Sequence, residues 1–233
     1  MKLSPYKKYI VLSILFFLPV MFLLFLYPAK HNYTTLDVVK TQVVELDGFQ
    51  SKTPVVLEGH LTVLAFLGNK PMDKLVETLN LKELIYDKFK GFKNFQIVFV
   101  LETGSEAEGQ KLRTEVATYE SLEHLHLVYG NQEQISALYK SLKTTLNLDS
   151  TLATQHVFIV DKNKDQRGRL DDREDREIEK NEPTYPLLSY NTIKVAEIKN
   201  KMSEDLRILF TEYRQKRKGN FNSTSRREND IKQ

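Results

Sequence analysis

Four short apolar runs, separated by stretches whose apolar residues recur at helical spacing, constrain this chain more than any other feature. The runs are Leu61–Leu67, Phe95–Leu101, Leu125–Tyr129 and His156–Asp161. The first is apolar on both faces, as a central strand covered by helices requires. Between the runs, Leu75, Val76, Leu79, Leu81, Leu84, Ile85 and Phe89 fall on a helical stripe closed by Gly91. Ser105-Glu106-Ala107-Glu108 opens a second helix with acids in its first turn, and Asn131 caps a third that runs to Leu142. Such alternation predicts an α/β layer structure with parallel pairs joined by right-handed crossovers, then a hairpin across Lys162 to Gln166. Ile193 to about Arg217 reads as one long helix, with Val195, Ile198, Met202, Leu206, Leu209 and Tyr213 on one side. Ahead of the alternation, Val38-Val39 and Val43–Leu46, followed by the turn dipeptide Asp47-Gly48, predict a hairpin or edge strands.

The N-terminus is of a different kind. Tyr9 to Tyr27 holds no charge and as a helix spans about 28 Å, against a hydrocarbon thickness of ~30 Å. Lys2, Lys7 and Lys8 precede it, which by the positive-inside tendency leaves the N-terminus in the cytoplasm. The run ends in Tyr27-Pro28-Ala29-Lys30 without the small-residue pattern of a cleavage site, so an uncleaved anchor is expected. The predicted organisation is a basic cytoplasmic segment 1–8, a transmembrane helix 9–27, a linker 28–36, a globular domain 37–218 and a disordered tail 219–233. That places a single-pass protein in the cytoplasmic (inner) membrane with its domain in the periplasm or equivalent space. The 34 basic and 31 acidic residues are too evenly mixed for a nucleic-acid surface. The chain of 233 residues has no cysteine, which excludes disulfides, thiolate nucleophiles and thiolate metal sites.

One turn then stands out. Strand 61–67 feeds Gly68-Asn69-Lys70-Pro71-Met72-Asp73-Lys74 onto a helix that begins near Asp73. Together with the N-terminal anchor, Glu58-Gly59-His60 leading into strand 61–67, and His156–Asn163 leading to Arg167-Gly168, this turn resembles the Sco/SenC copper chaperones. These are membrane-tethered, thioredoxin-like proteins that help deliver copper to cytochrome oxidase. The resemblance covers roughly residues 37–175 and, more loosely, the last helix. It implies a thioredoxin-like sheet with flanking helices, preceded by one transmembrane helix. In the family, two cysteines four residues apart and a histidine before a later strand bind copper. Here the motif's proline matches Pro71, the cysteine positions fall on Lys70 and Lys74, and the histidine position falls near Ala153, with His156 three residues late. Ammonium groups are the wrong donors for Cu(I), which takes thiolate and thioether. The resemblance therefore implies the scaffold without its metal and redox chemistry.

Other candidates are weaker. Lys70 and Lys74 lie on one helix face, and a Schiff-base or general-base lysine would be the enzymatic alternative, but no second catalytic group accompanies them. His124 and His126 alternate on a strand and supply half a metal site at most, with His156 elsewhere. Asp161 to Asp165 imitates the start of a calcium loop, yet Gln166 stands where the turn glycine belongs and Asp172 replaces the bidentate glutamate. The run Arg167–Glu179, with its interleaved signs, reads as a solvated, self-compensating face, or as a docking surface together with Pro183–Tyr190. Asn32-Tyr33-Thr34 and Asn222-Ser223-Thr224 fit the glycosylation sequon. The expected function is that of a non-enzymatic binding or assembly factor, without cofactor. Its expected partner is a protein, such as an oxidase subunit or another Sco-type protein. A new Lys/His-based activity and a structural envelope role are the alternatives.

Overall fold

A computed structural model describes residues 5–26, 35–117 and 121–217. Residues 28–34 of the expected linker, the tail 219–233, Tyr27 and both sequons lie outside the described residues. The chain divides into two compact units, one up to Thr34 and one from Thr35. The first unit holds a single helix, Pro5–Leu26, which begins four residues before the expected span and includes Lys7 and Lys8. Its segment Tyr6–Phe25 has a mean hydropathy of 2.3 and buries nothing within the protein. By length and composition it is apolar enough to cross a membrane.

The second unit is built on a seven-stranded mixed sheet. Its strands are β1 (Asp37–Lys40), β2 (Leu61–Gly68), β3 (Phe95–Glu102), β4 (Leu125–Gly130), β5 (Ala153–Val160), β6 (Gln166–Gly168) and β7 (Tyr190–Asn191). They lie in the order β1-β6-β5-β2-β3-β4, with β7 beside β5. β2, β3 and β4 are parallel, Val63 facing Ile97 and Ile97 facing Leu125. The fourth strand departs from the expected parallel pairing: β5 runs antiparallel to β2, with Val63 opposite Ile159. It also starts at Ala153 rather than His156. Alternation of strands and helices fixes neighbours in sequence, not the direction in which a chain re-enters the sheet.

All eight residues of β2 are buried, which is what its unbroken apolar run requires. Leu61, Val63, Ala65 and Leu67 face one helix layer, formed by 71–89, Glu106–Ala117 and Ser203–Arg217. Leu64 and Phe66 face the other, where helix Gln132–Lys140 packs with Val43, Leu46 and Leu57. Asn131 caps that helix through a reciprocal box with Gln134. The helical run 71–89 is not uniform: a tight turn Pro71–Lys74 leads into Leu75–Leu81, a wide turn Lys82–Tyr86 and Asp87–Phe89. The last helix has a wide first part, Glu197–Met202, before Ser203–Arg217. It starts later than expected, so Val195 is exposed rather than part of the core stripe.

Two sequence expectations are corrected here. Val43–Leu46 forms no strand, because side chains and a loop carbonyl take its N–H groups: Val43 N donates to the Lys164 carbonyl, Val44 N to Ser141 Oγ and Leu46 N to the Glu45 carboxylate. Of the two expected segments, Val38-Val39 alone lies in a strand, β1, which pairs with β6 at one edge of the sheet. The charged run is a solvated face only in its second half, where Glu174, Asp175, Arg176 and Glu179 are exposed; its first half is not. Arg167 and Asp172 are buried, each 6% exposed. Arg167 donates to Asp161 at 3.0 Å, to the Leu36 carbonyl at 2.7 Å and to Glu212 at 2.8 Å. Arg169 donates to both oxygens of Asp205, the closest contact 2.7 Å, and to Asp172 at 3.1 Å. Tyr190 Oη donates to Asp205 at 2.6 Å, and Lys201 pairs with Asp172. These contacts clamp the last helix to β6 and β7. Alternating signs disclosed the charges but not their partners on the last helix: Asp205 lies 36 residues from Arg169 and Glu212 45 from Arg167.

Candidate functional site

Two loops meet at the C-terminal end of β2. Gly68 ends the strand in the left-handed region (φ +65°), and a Cβ there would lie 1.8 Å from the Thr151 carbonyl oxygen, so only glycine fits. Asn69 N donates to that same oxygen at 3.0 Å. Pro71 then occupies the first helical position, where its missing N–H costs nothing. Lys70 precedes it as an exposed residue whose side chain makes no capping bond. On the facing loop, Asp149 Oδ1 accepts from Thr151 N at 2.8 Å, Thr151 Oγ1 at 2.6 Å and Ala153 N at 3.0 Å. Its other oxygen lies 3.6 Å from Lys74 Nζ, and Glu77, largely buried, lies 4.0 Å from the same ammonium. Burial alone would raise the Asp149 carboxyl. The bonds from Thr151 and Ala153, with the Lys74 charge, outweigh burial and hold it below the ordinary range.

The structure thus brings together Lys74 and Ala153, two of the positions assigned by sequence to one degenerate site, through Asp149, a residue the sequence did not single out. Asp149-Ser150-Thr151 carried a signal, since an aspartate two residues before a hydroxyl residue favours a side-chain-to-backbone turn. The partner of that turn was not readable. Met72 packs against the core. The site offers one partly buried ammonium compensated by two carboxylates, and no soft donor. It does not fit Cu(I).

A strand ending in a proline turn on a helix N-terminus, a loop before an antiparallel strand that touches this turn, a terminal hairpin and a covering last helix make one arrangement. The fold is thioredoxin-like. That assignment rests on strand order and direction. No protein-family model and no characterised protein sequence matches the chain. Solved structures with similar strand arrangements include BsSco, described as a member of the Sco family of cytochrome c oxidase assembly proteins, at 14% identity and TM-score 0.45, covering 76% of this chain and 98% of the other. A SCO1/SenC family lipoprotein from Bacillus anthracis matches at 15% identity and TM-score 0.44, covering 78% and 99%. The soluble domain of Sco1 from Bacillus subtilis matches at 13% and 0.41, covering 73% and 92%. At such values these likenesses add nothing to the strand arrangement itself.

The histidines do not assemble. Among the described residues, no three His, Asp or Glu side chains group as metal ligands. His126, on edge strand β4, is pushed down to about 4 by burial, then by the charge of Arg113 and the neighbouring His124 and His60. It lines a cavity of about 320 Å³ with Arg113, Gln110, Lys52 and Tyr129. His156 sits on β5, where Nδ1 lies 3.1 Å from Ser189 Oγ and Nε2 3.4 Å from the Asn191 amide. Its pKa is lowered, mainly by burial. The loop Asp161–Asp165 is a hairpin turn whose carboxylate is committed: Asp161 Oδ1 accepts from Asn163 N and Asp165 N, and Oδ2 from Arg167.

Proposed function

We propose that this chain is a non-catalytic binding module: a thioredoxin-like domain held outside the cytoplasm by one uncleaved N-terminal helix, acting as an accessory factor in respiratory oxidase assembly. The observation that carries the non-catalytic part is the occupation of the thiol turn. Lys70 stands exposed at one cysteine position, and at the other Lys74 is tied to Asp149 and Glu77. A lysine so compensated is a structural bolt between two loops, which argues against the alternative of a new lysine activity. The oxidase link is supported by the sequence resemblance of the segments around 58–66, 156–163 and 167–168. Membrane attachment is supported by the exposed apolar helix and by the lysines before it.

Capture from native membranes, using the full chain cross-linked in place, tests the reading. Recovery of oxidase subunits or copper-pathway proteins is the expected result. Recovery of cell-wall or outer-membrane proteins alone would replace it with the structural envelope role. A C-terminal alkaline phosphatase fusion should be active, and a mature N-terminus near Lys30 would refute the anchor.

A further inference from the structure

The exposed side of the last helix carries Arg207, Phe210, Arg214 and Arg217 at spacings of three and four, hence on one face. Lys199 in the turn before it, and Lys88 from the neighbouring helix, extend the same stripe. Lys88 Nζ lies 2.5 Å from Ser203 Oγ. Its pKa is lowered first by burial and then by the charges of Arg207 and Lys199. In the middle, Phe92 stacks on Phe210 with ring centroids 3.9 Å apart while staying 42% exposed, and Lys93 follows it in the loop.

None of Lys88, Lys93, Lys199, Arg207, Arg214 and Arg217 pairs with a carboxylate among the described residues. The nearby acids are committed elsewhere: Asp87 to Lys82 and Lys90, Glu204 to Arg169, Glu212 to Arg167 and Lys216. In a chain whose net charge is only +3, an uncompensated stripe of this size is a strong local departure. The chain also enters the domain beside this helix, since Arg167 holds both the Leu36 carbonyl and Glu212. Nine residues separate Leu26, the end of the apolar helix, from Leu36, so the two are at most roughly 36 Å apart.

We propose that this stripe, centred on Phe92, docks on anionic lipid headgroups of the membrane that holds the apolar helix. The cations meet the phosphates and the Phe92 ring enters the boundary between headgroups and acyl chains. A tether this short keeps the face at high effective concentration over the surface, so modest intrinsic affinity suffices. The proposal rests on the membrane-anchor reading above, and the experiment separates the two.

The chain has no tryptophan, so Phe92→Trp in the full protein provides a unique probe. The variant is reconstituted into neutral phosphatidylcholine vesicles and into vesicles rich in phosphatidylglycerol, each with brominated acyl chains. Flotation with both vesicle types reports insertion of the helix. Its failure removes the anchor, whatever the probe does. With the helix inserted, tryptophan emission should be blue-shifted and quenched in the anionic vesicles and not in the neutral ones. At about fivefold per basic residue near an anionic surface, Arg207→Glu with Arg214→Glu should lower the docked-to-free ratio at least ~25-fold. Should that variant fold poorly, about 1 M salt on the Phe92→Trp protein gives the same loss, because screening then acts within ~3 Å. Equal quenching in both lipids, quenching in neither, or quenching indifferent to charge reversal and salt would overturn the proposal. Loss of a co-purifying acidic protein on reversal, with lipid quenching unchanged, would make the face a protein interface and overturn it too.

Discussion

Asp205→Ala is the sharpest test of how the last helix is held. Asp205 is completely buried and accepts from Arg169 and from the equally buried Tyr190. Its removal strands a buried Tyr190 hydroxyl, which costs about 1–3 kcal/mol. It also breaks a buried ion pair, for which one-sided removal costs about 3–5 kcal/mol. The second figure is an upper bound here, since the Arg169 side chain is 23% exposed and keeps Asp172 at 3.1 Å. The expected net loss is about 3–4 kcal/mol, a large part of the ~5–15 kcal/mol that holds a typical domain. Burial pushes the Asp205 carboxyl above its usual 3.8, and the bonds from Arg169 and Tyr190 recover only part of this. A carboxyl raised in the folded state contributes stability that is present below 3.8 and lost as pH rises through the folded value. The charged pair is therefore costly to bury and more costly to break. Asp205→Leu with Arg169→Met should accordingly destabilise less than Asp205→Ala alone. Urea unfolding of the full chain in mild detergent, followed by far-UV circular dichroism, measures all three. Tyr190→Phe alone should cost about 1 kcal/mol, and combined with Asp205→Ala should fall short of additivity by about 1 kcal/mol. An Asp205→Ala loss under ~1 kcal/mol with an unchanged denaturant slope, or a fully additive double variant, would refute the clamp.

The remaining predictions are more local. Gly68→Ala should cost at least ~3 kcal/mol or abolish folding, because it sets a Cβ against the Thr151 carbonyl in a left-handed turn; a melting temperature within a few degrees of the parent would contradict the contact. His126, lowered to about 4 by burial and its cationic neighbours, binds its proton more readily when unfolded, so its contribution is present above about 6.5 and lost as pH falls towards 4. For a partly exposed ring this is worth only about 1–2 kcal/mol after screening, and His126→Phe should flatten stability across that window; an NMR titration giving His126 an ordinary value would sink the argument. Lys70→Cys with Lys74→Cys should form an intramolecular disulfide under mild oxidant, and adding Ala153→His should confer Cu(I) binding that the parent lacks; a folded double variant that stays reduced would show that this turn is not the thiol turn.

Local chemistry in the sequence determined a good deal of this protein. The apolar runs 61–67, 95–101 and 125–129 became buried strands because each is too continuous to leave any face in water. Asn131 with Gln134 sets a helix start through bonds spanning three residues, and Pro71 sets another through its fixed φ at the first helical position. The absence of cysteine decided at once which chemistry is closed to the turn. Whatever depended on partners distant in sequence was decided only by the tertiary structure. Val43–Leu46 had the residues of a strand, yet Lys164 and Ser141 took its N–H groups. β5 lay antiparallel to β2, a direction that periodicity does not encode. Lys74 stood in the sequence as a degenerate motif position with no accompanying group, and only the fold set Asp149 and Glu77 against it. Arg167, Arg169 and Asp172 sat in a run whose composition looks solvated. Arg167 and Asp172 are buried and Arg169 partly so, because Asp161 and Glu212 meet Arg167, Asp205 meets Arg169 and Lys201 meets Asp172, and a charge enters a protein interior only where such partners replace its water.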